Sequence, residues 1–108
     1  MQIRSFVSIF IGLLAIAPIK NADAVTKQEQ SLCNAFGDAA YTIAVNRDEG
    51  VNKFEMRQRI ISSFEANVRD SVLMINDMVF RKPWHLPELE AQYIIAECVK
   101  QIEQRISL

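Results

Sequence analysis

The fold of this chain is decided by residues 32–44, which read LCNAFGDAAYTIA. Apolar side chains recur here at spacings of four, four and three, the period of an α-helix that buries one face: Leu32, Phe36, Ala40 and Ile43. Cys33 lies at the edge of this stripe, and Gly37 with nearby alanines keeps one side of the helix small. The stretch therefore predicts a helix that a second helix can approach closely.

Local signals place the ends of this helix. Thr26 followed by Glu29 three residues later is a capping-box pattern, which predicts a start near Thr26. Residues 46–50 predict the end, where Gly50 supplies a left-handed conformation. A second helix is expected to start at once, because Asn52 can cap it through Glu55. Val51 and Met56 occupy the two positions of a hydrophobic staple at the same start.

Residues 52–82 contain neither Gly nor Pro and predict further helix. One apolar stripe keeps helical phase across the segment: Ile61, Phe64, Val68, Val72, Ile75 and Val79. Weak helix formers at Ser62, Ser63 and Asn67 interrupt it, so one bent helix and two helices with a break near 62–67 both fit.

Residues 82–87, KPWHLP, end the helical pattern because each proline drives the preceding residue toward extended geometry. Pro87 suits the first turn of a last helix, whose expected inner face carries Ala91, Ile94, Ile95, Cys98, Ile102 and Ile106. No stretch alternates like a strand. The fold predicted is all-α, a bundle of three to five helices.

The N-terminal 24 residues have the order of a secretory signal peptide: basic Arg4, a 13-residue apolar run at 5–17, and the small-x-small exit Ala22-Asp23-Ala24. Cleavage is expected between Ala24 and Val25, leaving one domain at 25–108 in the periplasm or outside the cell. A spanning helix needs about 20 apolar residues, so an uncleaved anchor is the lesser alternative. We expect no stable membrane span after cleavage.

Cys33 and Cys98 both fall in the mature segment, on the expected inner faces of the first and last helices. An exported chain meets an oxidising compartment, which favours a disulfide between them. An intermolecular bridge and a redox-active thiol are the alternatives, but no C-x-x-C spacing supports redox chemistry. A zinc site with His85, the single histidine, would be incomplete.

The charge of the mature segment limits its partners. Segment 25–108 carries 10 Lys and Arg against 12 Asp and Glu, a net charge of −2. Neither a nucleic-acid partner nor an anionic membrane is expected, because both require concentrated basic charge.

Paired carboxylates or a positioned histidine would indicate acid–base catalysis. Each candidate carboxylate has an arginine four residues on, which is the ordinary pattern of a solvated helix face: Glu55–Arg59, Glu65–Arg69 and Asp77–Arg81. No metal, phosphate or nucleophile motif occurs. The prediction is a protein that is not an enzyme, with no catalytic residue, no metal and no cofactor.

One aromatic–basic cluster remains, formed by Phe80, Arg81, Trp84 and Leu86 beside Lys82. Exposed aromatic and arginine side chains anchor protein partners, which makes these four residues the candidate binding site. The competing interpretation is that Phe80 and Trp84 cover one end of the core.

The runs Cys33…Ala40…Ile43-Ala44…Arg47-Asp48-Glu49-Gly50 and Val79-Phe80…Pro83…Leu86-Pro87…Cys98 resemble a group of small exported proteins of Gram-negative bacteria. The resemblance implies a signal peptide, two cysteines and a helical mature part, and it implies no activity. A fainter similarity in size and single bridge is to acid-stress periplasmic chaperones. The hypotheses are therefore an interaction protein of unspecified partner, a stress- or acid-activated holdase, and third a small hydrolase; the oligomeric state is not predicted.

Overall fold

Four α-helices make up the part of the chain that the structure, a computed structural model, describes: residues 25–107, with side chains for 25–105. They are α1 (Lys27–Asp48), α2 (Lys53–Ser63), α3 (Ala66–Arg81) and α4 (Pro87–Ser107). No strand occurs between residues 25 and 107, and the all-α prediction is confirmed. The predicted signal peptide and Ala24 lie outside the described residues.

Both ends of α1 form as the local sequence predicts. The Glu29 amide donates to Thr26 Oγ1 at 3.1 Å, and the Thr26 amide donates to Glu29 Oε1 at 2.8 Å, which completes the capping box. At the other end Gly50 has φ +100°. The amides of Gly50 and Val51 donate to the carbonyls of Arg47 and Asn46, so the helix ends in a Schellman motif.

The segment 52–82 forms two helices, which decides between the two alternatives. The Glu55 amide donates to Asn52 Oδ1 at 2.8 Å, so Asn52 caps α2 as predicted. Phe64 and Glu65 have extended backbone angles that separate α2 from α3. Phe64 therefore leaves the apolar stripe and is exposed, whereas Val72, Ile75 and Val79 are buried.

The close contact between α1 and α4 organises the molecule. A Cβ atom built on Gly37 would lie 2.4 Å from Ile95 Cγ1 and 3.2 Å from the carbonyl oxygen of Ala91. A side chain fits at this point only if the Ile95 side chain moves and the Ala91 backbone gives way slightly. The small face predicted on the first helix is thus where the last helix packs.

Cys33 and Cys98 form a disulfide between α1 and α4, with Cα atoms 5.5 Å apart. Both residues are fully buried within the core, as the periodicity predicts. The intramolecular pairing is therefore confirmed. The bridge fits an oxidising compartment, since reduced thiols are the norm where glutathione and thioredoxin act.

The core between the helices is assembled from all four of them. Its buried hydrophobic side chains are Cys33, Phe36, Ala40, Ile43, Ala44, Met56, Ile60, Val72, Ile75, Val79, Ile94, Cys98 and Ile102. Within residues 25–107, no helix combines the length and the hydrophobicity that crossing a membrane requires.

Candidate interaction surface

The first two turns of α4 and the loop before them expose four large apolar side chains. Trp84 is 73% exposed, Leu86 61%, Leu89 50% and Tyr93 41%. Leu86 precedes the helix, and its carbonyl accepts the Glu90 amide, so it lies in helical register with the residues that follow. Positions 86, 89 and 93 fall on one helix face. We call Trp84, Leu86, Leu89 and Tyr93 the apolar surface.

Cations lie beside the apolar surface. Lys82 Nζ lies 5.4 Å from the centroid of the Tyr93 ring, within the range of a cation–π interaction. Arg81, at the end of α3, is exposed. The indole of Trp84 meets the ring of His85 edge-on, with the centroids 6.0 Å apart. The surface therefore combines aromatic, aliphatic and basic side chains.

The four residues predicted as a binding site differ in their exposure. Arg81, Trp84 and Leu86 are exposed at the α3–α4 loop. Phe80 is half-buried and packs against the core, so it is the one that covers the bundle. Trp84 does not cover the core, and that part of the competing interpretation is wrong.

Leu89 and Tyr93 belong to the surface but are absent from the sequence-based prediction. The sequence did contain a pattern that indicates them. Leu86, Leu89 and Tyr93 are spaced by three and four residues, so they share one helix face, and this face differs from the inner face of α4. A short second stripe of this kind identifies an apolar surface that faces away from the core.

Arg47, a buried arginine of α1, donates hydrogen bonds to the end of α3 and to the α3–α4 loop. Arg47 Nη1 donates to the carbonyls of Val79 and Lys82 at 2.9 and 3.1 Å, and Nη2 donates to the carbonyl of His85. The first two of these acceptors belong to the C-terminal end of α3, where helical carbonyls lack partners. One side chain thus caps α3 and positions the residue next to Trp84.

Glu90 lies on the other side of the same loop. It is buried, and its Oε2 atom lies 3.1 Å from His85 Nδ1 and 4.0 Å from Arg47 Nη1. Burial raises the pKa of the Glu90 carboxyl above its ordinary value of 4.5, against the lowering effects of His85, Arg47 and Lys82. We call Arg47, His85 and Glu90 the polar clasp.

The surroundings of Tyr93 also shift the pKa of its hydroxyl. Its partial burial, together with the carboxylates of Glu97 and Glu90, raises the pKa of the Tyr93 hydroxyl. The phenol therefore stays neutral at physiological pH and can donate a hydrogen bond at the edge of the apolar surface.

A second apolar feature lies between α1, α2 and the first turns of α3. It is an open cavity of about 350 Å³, lined by Ala35, Asp38, Ala39, Thr42, Ile43, Met56, Ile60, Phe64 and Val72. Asp38 and Thr42 are the two polar residues in this lining. The walls of the cavity are hydrophobic, and the break at Phe64 forms part of its border.

The carboxylates weighed as acid–base candidates are dispersed over the molecule. Glu55 pairs with Arg59 at 3.0 Å, as predicted. Asp77 pairs instead with Lys53 of α2, and Arg69 donates to the carbonyl of Phe64. His85 faces Glu90, remote in the fold from the Cys33–Cys98 bridge at the other end of α1. Among residues 25–105 no three metal-ligating side chains cluster.

Comparison of the chain with protein-family models, with curated proteins and with solved structures finds no match in any of the three.

Proposed function

We propose that this chain is an exported, non-enzymatic interaction protein that binds a protein partner through the apolar surface of Trp84, Leu86, Leu89 and Tyr93. The observation that carries the proposal is the concentration of exposed apolar side chains there. Seven large hydrophobic residues are exposed in the described part of the chain, and four of them fall within residues 84–93. Exposed apolar groups gathered in one region mark interaction sites, whereas single ones are ordinary.

The composition of the surface also suits a protein partner. Trp and Tyr are prominent among the residues that dominate binding energy in protein interfaces, and Trp84 and Tyr93 supply both here. Because Arg47 fixes the loop beneath Trp84, less conformational entropy is lost on binding than for a free loop. Export is supported by the signal-peptide pattern at 1–24 and by the Cys33–Cys98 bridge.

Affinity capture from a periplasmic extract tests this proposal, with the mature wild-type chain and two variants as baits. Trp84→Ala removes the most exposed member of the apolar surface. Phe54→Ala is the matched control, because Phe54 is 69% exposed but lies on α2. We expect a partner that wild type and Phe54→Ala retain and that Trp84→Ala loses by roughly tenfold or more in affinity, as for a hot-spot residue. Equal retention by all three baits contradicts the proposal.

A holdase is the second candidate, and the cavity bordered by Phe64 favours it. An apolar cleft of about 350 Å³ offers a place for a hydrophobic side chain of an unfolded client. Met56 in its wall can adapt to different client side chains. This hypothesis predicts that the mature protein suppresses aggregation of a model client after a drop in pH. Aggregation that proceeds unchanged removes the candidate.

A further inference from the structure

The loop that carries Trp84 is held by three residues from three parts of the chain. Arg47 comes from the C-terminal end of α1, His85 from the loop and Glu90 from the first turn of α4. The Arg47 guanidinium donates hydrogen bonds to the backbone carbonyls of Val79, Lys82 and His85. If the loop moved away from both α1 and α4, the hydrogen bonds from Arg47 to Lys82 and His85 and the contact between His85 and Glu90 would break together.

We propose that Arg47, His85 and Glu90 form a proton-dependent clasp that holds residues 82–86 more firmly when the His85–Glu90 pair carries an additional proton. His85 Nδ1 lies 3.1 Å from Glu90 Oε2, yet this buried oxygen accepts no hydrogen bond, so the charged carboxylate is poorly compensated and a proton on it relieves that cost. The clasp itself does not depend on the proposed function. Its consequence rests on that function: pH controls how rigidly the loop holds Trp84 for binding to a partner.

Charged groups face Glu90 from α1 and from the α3–α4 loop. Arg47 approaches it from α1, and Lys82 and His85 approach it from the loop. Arg47 also binds Asp48 through Nε at 2.9 Å, which already offsets part of its charge. Tyr93, one turn further along α4, stays neutral at physiological pH because its pKa is raised. The nearby cations therefore do not fully compensate for the burial of the Glu90 carboxylate.

The direction of the pH effect follows from this balance. With the clasp closed, burial holds the pKa of Glu90 above 4.5, whereas with the clasp open the carboxyl faces water and titrates normally. The closed form binds more protons over the interval between these two values. Acidification through that interval consequently favours the closed loop, and a rise in pH favours release.

Glu90→Gln tests the clasp in the isolated protein, because glutamine resembles the protonated carboxyl. Glu88→Gln is the control, since Glu88 lies in the same turn but is exposed. We compare urea unfolding of both variants and wild type at pH 5.0 and 7.5. The equilibrium constant for folding should rise several-fold in Glu90→Gln relative to wild type at pH 7.5, with a smaller gain at pH 5.0. A gain that does not depend on pH, or one shared by Glu88→Gln, overturns the proposal.

Trp84 reports on the loop directly because it is the sole tryptophan of the chain. Acrylamide quenching of its fluorescence should increase from pH 5.0 to 7.5 in wild type and Glu88→Gln, but not in Glu90→Gln. Arg47→Lys retains the positive charge but loses the guanidinium group that donates to three carbonyls. Acrylamide quenching of Trp84 in this variant should therefore be high at both pH values. The same pH response in wild type and Glu90→Gln overturns the clasp. Failure to capture a partner leaves this result unaffected.

Discussion

The two ends of the α1–α4 pair are held together in opposite ways. At the start of α1 the Cys33–Cys98 bridge joins the helices covalently, and Arg105 Nη2 lies 3.3 Å from the buried Glu29 carboxylate. At its far end Arg47 holds the α3–α4 loop by hydrogen bonds alone. A covalent link is insensitive to small changes in pH, whereas hydrogen bonds to ionisable groups respond to them.

Four of the seven exposed large apolar side chains in the described residues fall within 84–93, next to the end that has no covalent link. Trp84, Leu86 and Leu89 flank His85 and Glu90 of the polar clasp in the sequence. The other three exposed side chains outside 84–93 are Tyr41 on α1, Phe54 on α2 and Phe64 at the α2–α3 break. We propose that the difference separates a stable end from an end used for binding, which rests on the proposed function. Elements used for binding are commonly drawn from the less stable parts of a fold.

Removal of the disulfide should have the largest effect on stability. The bridge closes a sequence separation of 65 residues, which the chain-entropy model values at about 4 kcal/mol. The double variant Cys33→Ala/Cys98→Ala should therefore lose about 4 kcal/mol of unfolding free energy in urea titrations. Wild type in a reducing buffer is the control and should lose a similar amount. A loss below about 1 kcal/mol in both would show that the bridged end is not the stable one.

Arg47→Met should give the second largest effect, and it acts at the opposite end. Three carbonyls lose a charged donor and the buried Glu90 loses a cation, for a cost of about 3 kcal/mol. Urea unfolding measures the cost, with Arg57→Met, an exposed arginine of α2, as the control. If Arg47→Met is as stable as the control, the hydrogen bonds of the clasp do not hold this end.

Gly37→Ala probes the contact midway between the two ends. The added methyl group would lie 2.4 Å from the Ile95 side chain and 3.2 Å from the Ala91 backbone, so Ile95 must repack and the backbone must give way slightly. Alanine favours helix over glycine by about 1 kcal/mol, while overpacking costs about 1–3 kcal/mol. We expect a net loss of about 1 kcal/mol in thermal or urea unfolding. Ser31→Ala, exposed on the same helix, should be neutral or slightly stabilising.

Trp84→Ala should have the smallest effect on stability. Trp84 is 73% exposed, so its removal should change the unfolding free energy by less than about 0.5 kcal/mol. Circular dichroism during thermal unfolding measures this. A large loss would assign Trp84 to the fold rather than to binding, and it would make the capture experiment above ambiguous.

Local physical chemistry made most of the fold predictable from sequence. The capping box at Thr26, the Schellman end at Gly50 and the Asn52 cap depend on residues within five positions of one another. The break between α2 and α3 was less predictable, because weak helix formers permit a break but packing determines whether it occurs. Phe64 shows this: its sequence position fits the apolar stripe, yet it lies exposed at the break.

The apolar surface was half predictable from the sequence. The exposure of Trp84, Arg81 and Leu86 was expected from the composition around the two prolines. Phe80 has a similar sequence context, but its side chain is directed toward the core. The buried roles of Arg47 and Glu90 had no local signal. Both are charged residues near helix ends, where charged residues are ordinarily solvated.

The sequence by itself determined both ends of α1, the starts of α2 and α4, and that Cys33 and Cys98 face a common interior. Helix termini and apolar periodicity depend on neighbours along the chain, so their physical causes are visible in the sequence. The tertiary structure alone decided that Arg47 reaches the carbonyls of Val79 and His85, 32 and 38 residues away. Such contacts exist only once α1 has packed against α3 and the loop that follows it, because packing removes the water that would otherwise bind the guanidinium.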